Sequence, residues 1–426
     1  MNARPYESAT VNRMRLHVLP TDQFKTFAIS VYVGQPLAER TVTTYALIPF
    51  VLRRGTERFP ETKRFREHLD DLYGAGFGFD IYKRGDYQIV QFRMDIIHDE
   101  FVSESRSLLA QALQFLGEAL TKPALENGAF RAKYVEDEKL TLRKRIEAIV
   151  NDKIRYAAER CIEEMCRDEP YRLHPLGAIP DLEPLTPQRL YAAYEQWLAT
   201  APIDIYIVGR TTLEEAAQYV ERYFRWPRQQ CPEYRGAEKR AAGAQVRTVV
   251  ERLEVSQGKL NMGLRANVTY ADALYPAALM YNGILGGYPH SKLFVNVREK
   301  ASLAYYASSR LDGHKGILTI QSGIEIANFD KASDIIRRQL DAMTQGDISE
   351  LELNQTRAML TNQLTEIGDS AFEMIAFDFN GILSGKQRTI PELIAEVKQT
   401  GPEDIRAVAN QVQLDTIYFL RDLKGE

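Results

Sequence analysis

The side chains able to hold a metal or attack a carbonyl are few in this sequence, and their spacing suits neither task. Six histidines, His17, His68, His98, His174, His290 and His314, never fall within one or two helical turns of each other. A helix that binds zinc through imidazoles needs two of them about one turn apart, so these residues form no such pair. The three cysteines, Cys161, Cys166 and Cys231, are odd in number and contain no CxxC. That excludes a disulfide framework and a thiolate metal site, and they read as plain thiols. Neither a G-x-S-x-G elbow nor a Walker loop is present, which argues against a self-sufficient hydrolase of those types. The most distinctive run is LGGYPHSKLFVNVREKASLAYY, which brings Gly286, Gly287, His290, Arg298 and Tyr305 close together in the chain.

The elements that must position these residues show clear periodicity. MRLHVLP (14–20) and FAISVYVG (27–34) alternate as strands do. TTYALIPFVLRRGT is an apolar helical run stopped by Gly55, and KRFREHLDDLYGAGF a second, amphipathic helix closed by Gly74 and Gly76. Two strands, GFGFDIYK and QIVQFRMDI, follow with Gly85 and Asp86 at their turn. A helix-rich block covers 100–200. Within it Val135, Leu142, Ile146, Ile149, Ile154, Ala157, Cys161 and Met165 recur at helical steps, as one long buried stripe or two consecutive ones. DIYIVGR (204–210) is a strand, followed by a helix that Thr211 or Thr212 caps. The stretch 226–245, with two prolines, two glycines and clustered charge, is the best linker.

After this linker the order repeats. KLNMGLRANV is a strand, YPAALMYNGILGG an apolar helix stopped by Gly286 and Gly287, KLFVNVREKASLAYYASSR a helix running into a strand, and GILTIQSGI another strand, with Gly313 at the turn. Gly55 matches Gly286 and Gly85 matches Gly313, so an α+β unit is duplicated at very low identity. The expected domains are 1–235 and 236–426.

Composition sets the outer bounds. The 426 residues exceed one ordinary core, and 45% hydrophobic with 26% charged content describes a globular chain rather than a disordered one. A net charge of -4 offers no electrostatic reason to bind nucleic acid or an anionic membrane. No run approaches the ~20 apolar residues of a membrane span, and the N-terminal MNARPYESATVNRMRLHVLP lacks an apolar signal core, which predicts a cytoplasmic location.

Two stretches resemble the pitrilysin and mitochondrial-processing-peptidase family. Its active members carry H-x-x-E-H on the helix after the first strand, followed by an Arg- or Lys-Gly-Thr turn, and a later helix with E-x6-E whose second Glu completes the zinc site. Here the turn is Arg54-Gly55-Thr56, but counting back from it puts Ala46 and Phe50 at the histidine positions and Pro49 at the general base. None of these can bind zinc or accept a proton. VEDEKLTLRKRIEAIV fits the later helix, with Glu138 as its first Glu and Arg145 at the ligand position, where a cation would repel zinc. Glu147 would restore a carboxylate if the register moved by two residues. No metal or other cofactor is expected.

The second stretch is the glycine-rich run, in which Gly286, Gly287, Ser291, Leu293, Phe294, Arg298, Glu299, Lys300, Leu303 and Tyr305 match. The resemblance covers nearly the whole chain and is strongest to bacterial members that lack the metal motif and occur beside an active relative. It implies two homologous α/β-sandwich domains, each an antiparallel-rich sheet with helices packed on one side, forming half of a clam shell. It further implies that Arg298 and Tyr305 face a partner's zinc site, the Tyr hydroxyl donating to the developing oxyanion. Gly286, Gly287 and His290 are the candidate peptide-binding positions beside them. In a purely local reading, Arg298 pairs nearby, Tyr305 packs in a sheet and His290 is a surface residue.

The leading expectation is a non-catalytic subunit of a heterodimeric zinc endopeptidase, partnered by an active zinc-peptidase paralogue or by a second copy of itself, and enclosing peptides. A structural or peptide-binding subunit without any role in proteolysis stays open. Were the strand from Leu260 to Val268 an open edge, which the sequence does not establish, a bound peptide could extend its sheet there.

Overall fold

The computed structural model describes residues 6–103 and 106–424. The first five residues of the stretch read for a signal core, and the outer ends of both expected domains, lie outside the described residues. In the first half the strands are β1 (Glu7–Val11), β2 (Met14–Pro20), β3 (Thr26–Pro36), β4 (Gly76–Arg84), β5 (Tyr87–Ile97), β6 (Leu125–Glu126), β7 (Ala129–Phe130) and β8 (Ile203–Gly209). Its helices are α1 (Val42–Leu52), α2 (Thr62–Asp71), α3 (Leu108–Thr121), α4 (Ala132–Glu147), α5 (Lys153–Met165), α6 (Pro187–Thr200) and α7 (Leu213–Tyr223). The second half adds β9 (Arg247–Arg252), β10 (Gly258–Arg265), β11 (Ala304–Asp312), β12 (Ile317–Ile324) and β13 (Gln413–Arg421). Its helices are α8 (Tyr275–Asn282), α9 (Phe329–Gln345), α10 (Glu350–Glu366), α11 (Ala371–Ser384), α12 (Ile390–Gln399) and α13 (Pro402–Ala409). Among the described residues no helix is long and apolar enough to cross a membrane.

These elements form two compact units. The first comprises 1–147, 173–234 and 370–377, and the second 148–172, 235–369 and 378–426. The first unit's sheet has the order β1-β2-β8-β3-β5-β4, the second's β11-β12-β10-β13-β9. Without β1, the run β2-β8-β3-β5-β4 corresponds strand for strand to β9-β13-β10-β12-β11. Each begins with a parallel pair and continues with three antiparallel ones. Duplication, visible as a repeated pattern in the sequence, is thus repeated topology.

In the first unit the period-two pattern sends Phe27, Ile29, Val31 and Val33 of β3, Ile205 and Ile207 of β8, and Val90, Phe92 and Met94 of β5 into one core with α1, α3 and α6. Alternate positions carry polar groups that satisfy one another: Gln91 donates to the Ser30 and Tyr32 hydroxyl oxygens, and Arg15 chelates the fully buried Asp204. α1 is apolar around its circumference, because it lies entirely inside the unit. The 226–245 stretch is coil, yet its first part is docked: Arg228 is buried and donates to the Leu198 and Ala201 carbonyls, while Tyr234 packs against Gly34 and Tyr87. Gly34 leaves room for that ring, which a Cβ would overlap.

The second unit differs in one layer. Phe419 of β13 meets Phe329 of α9 on one face, whereas Tyr418 and Leu420 meet Ala157 and Cys161 of α5 on the other. The long stripe is therefore two helices broken by a 3-10 turn at 148–151, and α5 belongs to the second unit. Ile154, expected in that stripe, is exposed. One further expectation is corrected. β10 is central, paired on both sides with β12 and β13, so Leu260–Val268 offers no edge; the edges are β11 and β9. In the β11–β12 turn, 313–316, Gly313 stands where the sequence places it, and the left-handed residue is Gly316, at φ 71°.

Candidate functional site

The positions that the resemblance assigns to a zinc site lie in the first unit, on α1 and α4. Ala46 and Phe50 are wholly buried and Pro49 is buried beside them. The Phe50 ring meets Phe79 edge-on at 4.9 Å. Arg145, delivered by the last turn of α4, places its guanidinium 4.8 Å from the Phe50 ring centroid, and Arg53 lies 5.4 Å from the same ring. A ring and two cations thus occupy the place where donors would be required. These residues do not fit zinc, since none offers a lone pair to a metal. Among the described residues no group of three or more His, Cys, Asp or Glu could hold a metal ion. Glu147 ends α4 in an exposed position.

Glu138 of α4, by contrast, is buried and fully employed. It accepts from Arg54 at 3.0 Å and from Arg53 at 3.4 Å, and Arg54 also reaches Asp137 at 3.1 Å. The Arg-Gly-Thr turn is built to present these arginines. Gly55 sits against the Phe59 and Pro60 carbonyls, where no Cβ fits, and the Thr62 hydroxyl donates to the Arg54 carbonyl. The sequence signal for this arrangement is the arginine density of 53–66, which matches no metal motif.

The second constellation lies in the second unit. α8 continues into a π-helical segment, Gly283–Gly287, and a second one, Phe294–Lys300, precedes β11. Such wide turns recur at functional sites because they re-aim side chains out of helical register. Gly286 is a packing requirement: an added Cβ would stand 2.5 Å from the Ser309 nitrogen of β11. Gly287 is exposed. His290 stacks on Tyr288 and bonds the buried Thr356 hydroxyl at 2.9 Å, and burial lowers its pKa from the ordinary imidazole value.

Arg298 is exposed, with its guanidinium over its own helix neighbour Phe294 at 4.6 Å, and makes no ion pair among the described residues. Tyr305 is 57% exposed on the edge strand β11. The β11–β12 register shifts between Ala304 and Tyr306, so Tyr305 is the extra residue of a bulge, following Ser302 in left-handed conformation. A bulge bends an edge and turns one side chain outward. The Tyr305 hydroxyl has no hydrogen-bond partner among the described residues.

A duplicated α+β unit with a phenylalanine and an arginine at the positions the resemblance assigns to zinc ligands has the form of a metallopeptidase scaffold lacking the ligand set. Relatives agree with this class. Residues 184–360 match the family model described as the Peptidase M16 inactive domain. The chain is 39% identical over 419 residues, 96% of each chain, to "Probable inactive metalloprotease YmfF" of Bacillus subtilis (strain 168). A crystal structure of a conserved protein from Enterococcus faecalis V583 is similar at TM-score 0.91 and 31% identity, covering 99% of this chain and 100% of that one. The peptidase M16 inactive domain from Pseudomonas fluorescens shares the fold, at TM-score 0.81 and 15% identity over the full length of both chains. The chain belongs to the M16 peptidase family, as a non-catalytic member of it.

Proposed function

We propose that this chain is the non-catalytic subunit of a heterodimeric zinc endopeptidase. It forms half of a peptide-enclosing chamber and supplies Arg298 and Tyr305 to the active partner's site. The observation that carries this reading is the Tyr305 hydroxyl, exposed and unpartnered at a bulge on an edge strand. A tyrosine serving only local packing would bury its ring and bond its hydroxyl. Arg298, free of any carboxylate among the described residues, supports the same reading. Three cysteines outside any disulfide, two of them buried, suit a cytoplasmic setting for this chain.

The test is to purify the chain alone and mixed with a zinc-motif relative from the same genome, and to measure metal content and peptide cleavage. The chain alone should be inert and metal-free, and the mixture should outpace the relative alone. Tyr305→Phe in the assembled pair should lower kcat about 10²-fold, the usual consequence of losing one oxyanion donor, with assembly by gel filtration unchanged. Unaltered turnover would leave a structural, peptide-binding subunit as the remaining reading.

A further inference from the structure

The first unit holds a cleft of about 200 Å³ one helical turn beyond Phe50, walled by Arg53, Arg54, Arg66, Glu138, Phe65 and Phe77. Its charges do not balance. Three guanidiniums line it with one carboxylate; Arg54 takes Glu138, buried to 2% exposure, at 3.0 Å and Asp137 at 3.1 Å, which leaves Arg53 and Arg66 as the cations in surplus. Arg53 reaches the same carboxylate only at 3.4 Å and otherwise rests on the Phe50 and Phe79 rings. Arg66 is exposed and has no ion-pair partner among the described residues. The Arg54 Nε is buried without an acceptor. Arg145, which rests on the Phe50 ring, does not line the cleft. A surplus of planar cations beside aromatic walls is the arrangement that recognises a carboxylate through paired N–H donors.

We propose that this cleft binds a carboxylate carried by a peptide, as an acidic side chain or a C-terminus. Beside the place where the scaffold's active members hold a cation, this chain thus receives an anion. The proposal rests on the peptide-enclosing reading above and specifies which peptides are held. The cleft takes the carboxylate with its methylenes, Phe65 and Phe77 covering the aliphatic part while the arginines meet the head.

The experiment uses the full chain without any partner. Fluorescence anisotropy is measured with a short fluorescein-labelled peptide of alanine, phenylalanine and glutamate, with its glutamine counterpart, and with each carrying a free or amidated C-terminus. Binding at least tenfold weaker on glutamine replacement assigns an acidic side chain, and the same loss on amidation alone assigns the C-terminus. In either case Arg53→Gln/Arg66→Gln should erase the difference, leave the glutamine amide's affinity unchanged, and keep the unfolding midpoint of the parent. Equal affinity for all four peptides, or a preference that survives the double variant, overturns the carboxylate cleft while leaving the partner-subunit reading intact. Displacement by inorganic phosphate at concentrations matching the peptide also overturns it, in favour of a general anion site. Absence of binding by every peptide overturns the carboxylate cleft, while the partner-subunit reading stands or falls with the mixing assay.

Discussion

At the scale of single residues, Phe50, at a position the resemblance assigns to a zinc ligand, is a packed core residue. Phe50 fills with ring and guanidinium contacts what histidine, glutamate and metal would otherwise fill, so its removal should cost stability before anything else. Phe50→Ala is expected to destabilise the chain by about 3 to 5 kcal/mol, the range for a buried aromatic, read from the urea midpoint. A second residue, Glu169, ties charge to pH. Burial pushes its pKa up, but the Lys315 ammonium at 2.9 Å and the Arg265 guanidinium at 2.7 Å outweigh that and hold it below the ordinary value. A depressed carboxylate pKa stabilises the fold fully above its unfolded value, about 4.3, and that stabilisation is lost as pH falls through the folded value. Stability should therefore drop on acidification below about pH 4. Glu169→Gln should lose about 3 to 5 kcal/mol at neutral pH and respond less to acid, as urea titrations at several pH values would show.

At the scale of elements, β11 decides what Tyr305 does. The bulge at Tyr305 and the close approach of Gly286 to Ser309 fix the strand between α8 and β12. Gly286→Ala inserts a methyl into that approach and should cost about 1 to 3 kcal/mol, as overpacking does. If Tyr305 acts on a partner's site, the same change should also lower turnover of the pair; thermal unfolding and peptidase assays of one preparation separate the two effects. Strands and helices were legible because their periodicity is local. Which strand stands at the edge was not, and Leu260–Val268 turned out central because β13, some 150 residues later, pairs with it. No local pattern distinguishes an apolar strand with one neighbour from one with two.

At the scale of the molecule, the chain shares segments between its two units. Residues 148–172 belong to the second unit, where α5 covers Tyr418 and Leu420 and Glu169 neutralises Arg265 and Lys315. A fragment of 236–426 alone would lose Glu169, the buried carboxylate that Arg265 and Lys315 share, and leave one sheet face bare. It is expected to bind ANS and to unfold without a cooperative transition, whereas the intact chain should unfold cooperatively; a fragment that folds like the intact chain would refute the assignment of α5.

The sequence by itself determined the element order, the duplication and the absence of ligands at positions 46, 49, 50 and 145, because each is a matter of residue type at a local spacing. Only the tertiary structure decided that Arg145 rests on Phe50, that Arg53 and Arg66 wall a cleft with surplus charge, that Tyr305 is turned out at a bulge, and that α5 packs on the second sheet. Those facts depend on pairings between residues far apart in the chain. Side-chain chemistry names the candidates for such contacts, but the packing of whole elements selects among them.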